Sequence, residues 1–375
     1  MAKRNHGRMV LVGAATLALV GIGCYAGRIQ AAALPFQNMV VFGDSLSDNG
    51  NLLTIAPPLE TYFPQYASEI ASSLPDFANN YATGEFTDGA HTTPSTSVLG
   101  LWDEQFASQL GLPALVPALA SNFIMNYELG DGYLLNSGGT NFAVAGSVSG
   151  NTITNSTTGT FQAGMATQLA AFKSQYTSGV IPSNSLYAFW GGANDILDAP
   201  SGSTSATLNT IATTAADNIY GYINNLASTG GKDFLWINLP PLGDTPEGAG
   251  NASALNAAAV DFNSEQNLDI GKVLATYPDV KVIKVNSYAL FTQLVAKSNT
   301  DGFTNVTTPA QGLSGVNPNS YLFWDSLHPT TAADKLLAQA AAADTIAAVT
   351  PEPTTLLLLA LGALAGLALR SRRQT

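Results

Sequence analysis

Five short apolar runs constrain this chain more than any other feature. They are "MVVFGDS" at 39–45, "GTNFAVAGS" at 139–147, "SLYAFWGGAND" at 185–195, "KDFLWINLPPLG" at 232–243 and "VKVIKVN" at 280–286. The first four are near-continuous, as strands covered on both faces must be, and the last alternates. Helix-like segments at 163–178, 206–229 and 252–277 lie between several of them. A β-α-β-α order predicts a parallel sheet of about five strands with helices on both sides, a three-layer α/β/α architecture. A last Ala/Leu-rich helix is expected just after Pro329. With 46% of 375 residues apolar and 11% charged, a sizeable core is available to one large domain.

Two spacings are irregular. Residues 52–138 separate the first two runs, too far for a structureless loop. "PQYASEIASSL" and "WDEQFASQLGL" inside this insertion are expected to form helices, and the whole reads as a cap or lid over the sheet edge. Residues 148–160 are polar and read as a loop.

The ends are set apart from the fold. Lys3, Arg4 and Arg8 precede an apolar stretch that closes on Ala31-Ala32-Ala33. That is the layout of a secretory signal over residues 1–33 with a small-residue cleavage site. A permanent N-terminal anchor is the alternative, although the apolar run is short for a bilayer. At the other end, Pro351-Glu352-Pro353 leads into an apolar run of about 16 residues and then Arg370, Arg372 and Arg373. As a helix that run spans about 24 Å, slightly less than a hydrocarbon core. The basic cluster would stop at the cytoplasmic face. This tail, residues 351–375, resembles the PEP-CTERM sorting tail of exported proteins. The resemblance implies export, recognition by an exosortase-type enzyme and removal of the tail, so that the body resides in the cell envelope or outside it. The other reading is a plain membrane anchor.

The segment between the ends is strongly acidic. Residues 34–350 hold seven lysines, no arginine and 25 acids, a balance of −18. Nucleic acid requires a basic surface, so that class of partner is excluded. An arginine clamp on phosphate or carboxylate is also excluded. The single cysteine, Cys24, lies in the expected signal, which leaves the body without disulfides or thiol metal sites.

In open parallel sheets ligands gather at the carboxyl ends of the strands. Gly43-Asp44-Ser45, Ala145-Gly146-Ser147, Gly192-Ala193-Asn194-Asp195 and Gly243-Asp244 all end apolar runs. "WDSLHPT" at 324–330 precedes the last helix. A serine attacks only when a base removes its proton, and histidine is the usual base. The body has two histidines. His91 sits in a polar run with no partner pattern. His328 follows Asp325 by three residues, so one tight turn can aim the carboxylate at one ring nitrogen and leave the other free. Acyl transfer also needs donors at the developing oxyanion. The Asn194 side chain and the backbone N–H groups of Gly146 and Ser45 are candidates. Each of these residues also has a purely structural explanation, as turn former, bulge or helix cap. Asp44 is expected to tie the turn by accepting backbone N–H groups, and Gly43 to give the backbone room.

These stretches resemble the GDSL esterases and lipases of the SGNH hydrolase superfamily. "FGDSLSDNGN" matches the nucleophile block, "NFAVAG" the glycine block, "GGAND" the asparagine block and "DSLHP" the acid–histidine block. "NLPPLGDTP", "GEFTDG" and the following Trp102 look like the branch that includes plant GDSL lipases. The resemblance implies a flavodoxin-like SGNH hydrolase domain over 34–350. It implies Ser45 as nucleophile, Asp325 and His328 as acid and base, and Ser45, Gly146 and Asn194 as the oxyanion hole. No cofactor or metal is expected. Three positions depart from the family pattern. Ala145 precedes the donor glycine where many members have Gly, Glu85 replaces an Arg, and Asp244 stands where plant members often have Cys.

The expected activity is that of an exported carboxylesterase or lipase, and the acidic body favours neutral acyl or acetyl esters over anionic ones. Two other readings stay open. One is deacetylation of, or acyl transfer to, an extracellular polysaccharide. The other is a non-catalytic surface protein on the same fold.

Overall fold

The computed structural model describes residues 34–62, 68, 71–72, 74–88, 100–123, 132–150, 164–298 and 302–350. The expected signal at 1–33, the tail at 351–375, His91 and most of the helix expected at 64–74 lie outside the described residues. Among the described residues no helix is long and apolar enough to cross a membrane.

The fold is α/β. Four parallel strands, β1 (Asn38–Gly43), β2 (Ser185–Trp190), β3 (Asp233–Ile237) and β4 (Lys281–Val285), lie side by side in chain order. The register pairs Val41 with Ala188 and Leu235 with Ile283. Every residue of β2 and β3 is buried, as their unbroken apolar character requires of strands covered on both faces. β4 alternates and places Lys281 in solvent, as suits an edge strand.

Among the described residues the sheet has four strands, where about five runs were expected to join it. The run at 139–147 does lie along the outer edge of β1. Phe142 N–H donates to Val41 O (2.8 Å), Val144 N–H to Gly43 O (3.2 Å), and Val41 N–H to Thr140 O (3.0 Å). It pairs as an isolated bridge rather than a strand. The reason is Asn141. Its side-chain oxygen takes the N–H of Ala143 (2.9 Å), and the Asn51 amide takes the carbonyls of Asn141 and Ala143. The run bends and forfeits a regular ladder. Phe142 still stacks on Phe42, 5.7 Å between centroids, and Phe42 in turn stacks on Phe189 at 5.0 Å.

Helices cover the sheet. On one face, Phe42, Tyr187, Phe189, Phe234 and Trp236 pack against α3 (Met165–Ser174), α5 (Ser205–Ser228) and α6 (Ala252–Thr276). α5 follows from its sequence. Thr204 caps it by accepting the Thr207 N–H, and Leu208, Ala212, Ala215, Ile219, Ile223 and Leu226 recur at helical spacing on the buried side. Each large side chain so buried contributes about 1.5–3 kcal/mol. The alternate strand residues point to the other face, where α8 (Thr331–Val349) packs on β4 and on α2 (Trp102–Gln109). The remaining helices are α1 (Asn51–Tyr62) directly after β1, the short α4 (Ala193–Leu197) after β2, and α7 (Ser287–Ala296) after β4.

Candidate active site

The carboxyl ends of β1 and β2 and the turn before α8 converge on one point. Gly43 closes β1 because a Cβ there would stand 2.4 Å from Trp190 O. Its N–H donates to Gln168 Oε1 (3.0 Å) and its carbonyl accepts from Gln168 Nε2 (2.8 Å), so a side chain of α3 satisfies both backbone groups. Ser45 follows, 6% exposed.

Ser45 Oγ lies 2.7 Å from His328 Nε2, and His328 Nδ1 lies 2.7 Å from Asp325 Oδ2. The carboxylate accepts, so Nδ1 carries the proton and Nε2 is left to accept from the serine hydroxyl. Asp325 Oδ1 accepts the N–H groups of Leu327 (2.7 Å) and His328 (2.6 Å), which closes the tight turn expected of Asp-x-x-His. Thr330 then caps α8, accepting the Ala333 N–H. The helix start thus holds the histidine from behind.

The glycine and asparagine blocks are tied to the same turn. Ala145 N–H donates to Asp48 Oδ2 (2.8 Å), and Asn194 Nδ2 donates to Ser147 O (2.9 Å). Gly146 lies between these ties with φ at +74°, a conformation glycine takes without steric cost. Asp195 accepts both the N–H and the hydroxyl of Ser149. Ser45, Asn194 and Asp44 line one narrow apolar pocket with Trp190, Pro240, Leu242, Phe291, Val295 and Phe323. Asp244 lines it too.

Burial pushes the Asp325 carboxyl up, but the His328 ring and the hydrogen bonds from His328 and the Tyr81 hydroxyl outweigh it. The group sits well below the usual carboxylate range. Burial lowers the basicity of His328, and Asp325, then Asp44 and Glu247, more than restore it, leaving the ring above its ordinary value. Burial carries Asp44 up to about 7 and Asp48 to about 6.

Asp44 ties the turn as expected, and Asp48 ties it more heavily. Asp44 accepts one backbone N–H, from Leu46 (3.1 Å). Asp48 accepts four, from Gly50, Asn51, Leu52 and Ala145, and so caps α1 while fastening the glycine block. The Asp-Asn-Gly run just before α1 is a helix-cap signal that points to it. Gln168 and Tyr81, whose hydroxyl donates to Asp325 Oδ2 (2.7 Å), were not singled out by pattern, and no local signal marks them.

The profile of the GDSL-like Lipase/Acylhydrolase family matches residues 39–341, and that of the PEP-CTERM protein-sorting motif matches 349–373. The chain is 25% identical over 306 residues to the GDSL esterase/lipase At1g73610 of Arabidopsis thaliana, covering 78% of this chain and 84% of that one. It is 27% identical over 343 residues to the GDSL esterase/lipase APG of the same plant, covering 80% and 89%. A crystal structure of a member of the lipolytic protein G-D-S-L family from Veillonella parvula aligns with a TM-score of 0.31 at 14% identity, covering 57% of this chain and 80% of that one.

Proposed function

The chain belongs to the GDSL-like lipase/acylhydrolase family, generally made up of serine hydrolases, and from that premise we propose that it is an exported serine esterase acting through an acyl-enzyme on Ser45. The observation that carries this reading is the unbroken chain of hydrogen bonds Ser45–His328–Asp325. The sorting motif implies export, cell-surface sorting and processing by an exosortase.

His328 takes the Ser45 proton as Oγ attacks the ester carbonyl. The carbonyl oxygen becomes an oxyanion, to which the N–H groups of Ser45 and Gly146 and the Asn194 amide can donate. His328 then gives the proton to the departing alcohol, leaving the acyl group on Ser45. Water, deprotonated by the same imidazole, attacks the acyl-enzyme. Oγ recovers its proton and the acid leaves. Asp325 stabilises the imidazolium in both halves.

The pocket beside Ser45 selects the acyl group. Its walls are largely apolar and its bore is narrow, which suits an unbranched aliphatic chain better than a bulky or charged one. The balance of −18 over 34–350 disfavours anionic esters. Neutral esters with acyl chains longer than acetyl are therefore the proposed substrates. The described pocket walls come from the strand ends and from residues 291–329.

Replacing Ser45 with Ala should cost at least ~10³-fold in kcat on a p-nitrophenyl ester and abolish labelling by a fluorophosphonate. An unchanged rate would overturn the assignment. Over a p-nitrophenyl series from acetate to decanoate, kcat/KM should rise with chain length. Phe291→Trp, which narrows the pocket, should move the optimum to shorter chains. Preference for acetate, with acetate release from acetylated glycan outpacing all lipid esters, would favour the deacetylase instead.

A further inference from the structure

A segment that the proposed chemistry does not use is fastened along the acid–histidine turn. Asn79 O accepts from Gln311 Nε2 (3.0 Å), and Asn80 O accepts from Trp324 Nε1 (3.0 Å). The Tyr81 hydroxyl donates to Asp325 Oδ2 (2.7 Å). Thr87 Oγ1 donates to Pro329 O (3.2 Å), and Asp88 Oδ1 accepts the Thr331 N–H (2.6 Å). Phe86 lies against the His328 ring, centroids 4.8 Å apart, and meets Tyr81 edge-on at 5.1 Å. Residues 79–88 thus form a strap, contributed by the 52–138 insertion, that follows residues 324–331.

The strap is bent to deliver one group. Asn80 has φ at +61°, the one non-glycine residue with positive φ among those described. L residues avoid this conformation and Asn tolerates it best. It turns the chain immediately before Tyr81. The Asp325 carboxylate then has two backbone N–H donors on Oδ1, and His328 and Tyr81 on Oδ2. A carboxylate has about four lone-pair sites, so these partners fix its plane.

We propose that Tyr81 is a positioning residue of the triad. Its O–H donation to Asp325 Oδ2 orients the carboxylate for His328 and draws off part of the charge that the imidazole meets. This rests on the reading of Ser45, His328 and Asp325 as a triad. Without the hydroxyl, negative charge concentrates on the oxygen facing His328 and the imidazolium becomes harder to deprotonate, which moves the acid limb, while the carboxylate loses its fixed plane, which lowers kcat. The other charged groups facing His328 are Asp44 from the nucleophile turn and Glu247 from the segment before α6. Neither touches the Asp325 oxygen that Tyr81 holds.

The test compares the full chain with its Tyr81→Phe variant, which keeps the ring on Phe86 and removes one oxygen. We expect kcat on a p-nitrophenyl ester to fall about tenfold, as suits a lost hydrogen bond to a charged group. KM should hold, and the acid limb of the pH–rate profile should move upward by about half a pH unit. The downfield proton resonance of His328 Nδ1, followed by NMR, should shift and titrate at higher pH. Loss of activity that only tracks a lower Tm, with the acid limb and the resonance unmoved, would reduce Tyr81 to a structural strut and overturn the proposal. So would wild-type kinetics. If the wild-type chain hydrolyses no ester and Ser45 takes no fluorophosphonate, the triad reading fails separately. The resonance then still decides whether Tyr81 sets the Asp325–His328 pair: a shift supports it and no shift ends it.

Discussion

Two buried groups of acids in this molecule meet opposite fates. Asp325 is surrounded by donors: two backbone N–H groups, an imidazole and a phenol. It keeps its charge. About the start of α2 and α8, Glu85, Asp103, Glu104 and Asp334 crowd together, and burial first and then their mutual repulsion push Glu85, Asp103 and Asp334 far up. Asp334 has no hydrogen-bond partner on either oxygen, and Glu85 has none on Oε2. Glu85 sits where the family pattern places an arginine. In that seat it hydrogen-bonds Glu104, an arrangement that needs a proton between them. Burial penalises the charge of both groups alike. Asp48 has four backbone donors but no cation beside it and is still raised to about 6, so the His328 ring and the donors together keep Asp325 charged.

The two regions also tilt stability in opposite directions with pH. The folded pKa of Asp325 lies below its unfolded value. Its contribution is present above about pH 4 and is lost as pH falls through the folded pKa. The raised acids bind more protons folded than unfolded. Their contribution is complete below about pH 4 and is lost as pH rises, through about 6 for Asp48, about 7 for Asp44 and through the raised pKa values of Glu85, Asp103 and Asp334.

Breaking the first region should have the largest effect. Asp325→Asn puts an amide against Nδ1, favours the wrong tautomer and removes the counter-charge. Its kcat should drop by about 10³- to 10⁴-fold while the fold persists. A loss under tenfold would mean that His328 needs no orienting carboxylate.

Neutralising the second region should be milder and of opposite sign in stability. Glu85→Gln keeps a donor for Glu104 and removes one titration. Thermal melts should show the variant more stable than wild type at pH 8, by on the order of 1 kcal/mol or more, with the difference vanishing near pH 4. A difference independent of pH would show that Glu85 is not held protonated.

The smallest effect comes from Asp44, a raised acid that stands apart from the Glu85 cluster. Asp44 lines the pocket, its Oδ2 unpartnered, and its charge raises the basicity of His328. Since the imidazole must be neutral to act as base, activity should fall as pH drops through a value above the ordinary 6.5 of histidine. Asp44→Asn should move that acid limb downward by a few tenths of a pH unit, opposite to the shift expected for Tyr81→Phe. A limb that stays in place would show that the Asp44 charge is screened from the ring.

The features legible in the chain were local ones. A strand buried on both faces writes itself as an unbroken apolar run, which marked β1, β2 and β3, and residues 280–286, which alternate, became β4 at the edge. Asp-x-x-His is a single turn, so its hydrogen bonding followed from spacing. Ser45, Gly146 and Asn194 were singled out because polar residues that end apolar runs are expected to collect at one end of a parallel sheet. Helix α1 was hidden by Pro57-Pro58 within it. Contacts between distant segments left no such trace. Tyr81 reaches Asp325 across 244 residues of chain and Gln168 reaches Gly43 across 125, and nothing in either neighbourhood signals a partner. The run at 139–147 had the composition of a strand, yet side-chain amides of Asn51 and Asn141 took its backbone groups and bent it. Local periodicity thus determined the strands and their polar ends. Only the packed structure decided which distant donor each buried carbonyl and carboxylate would meet, because that depends on where the chain brings its far segments.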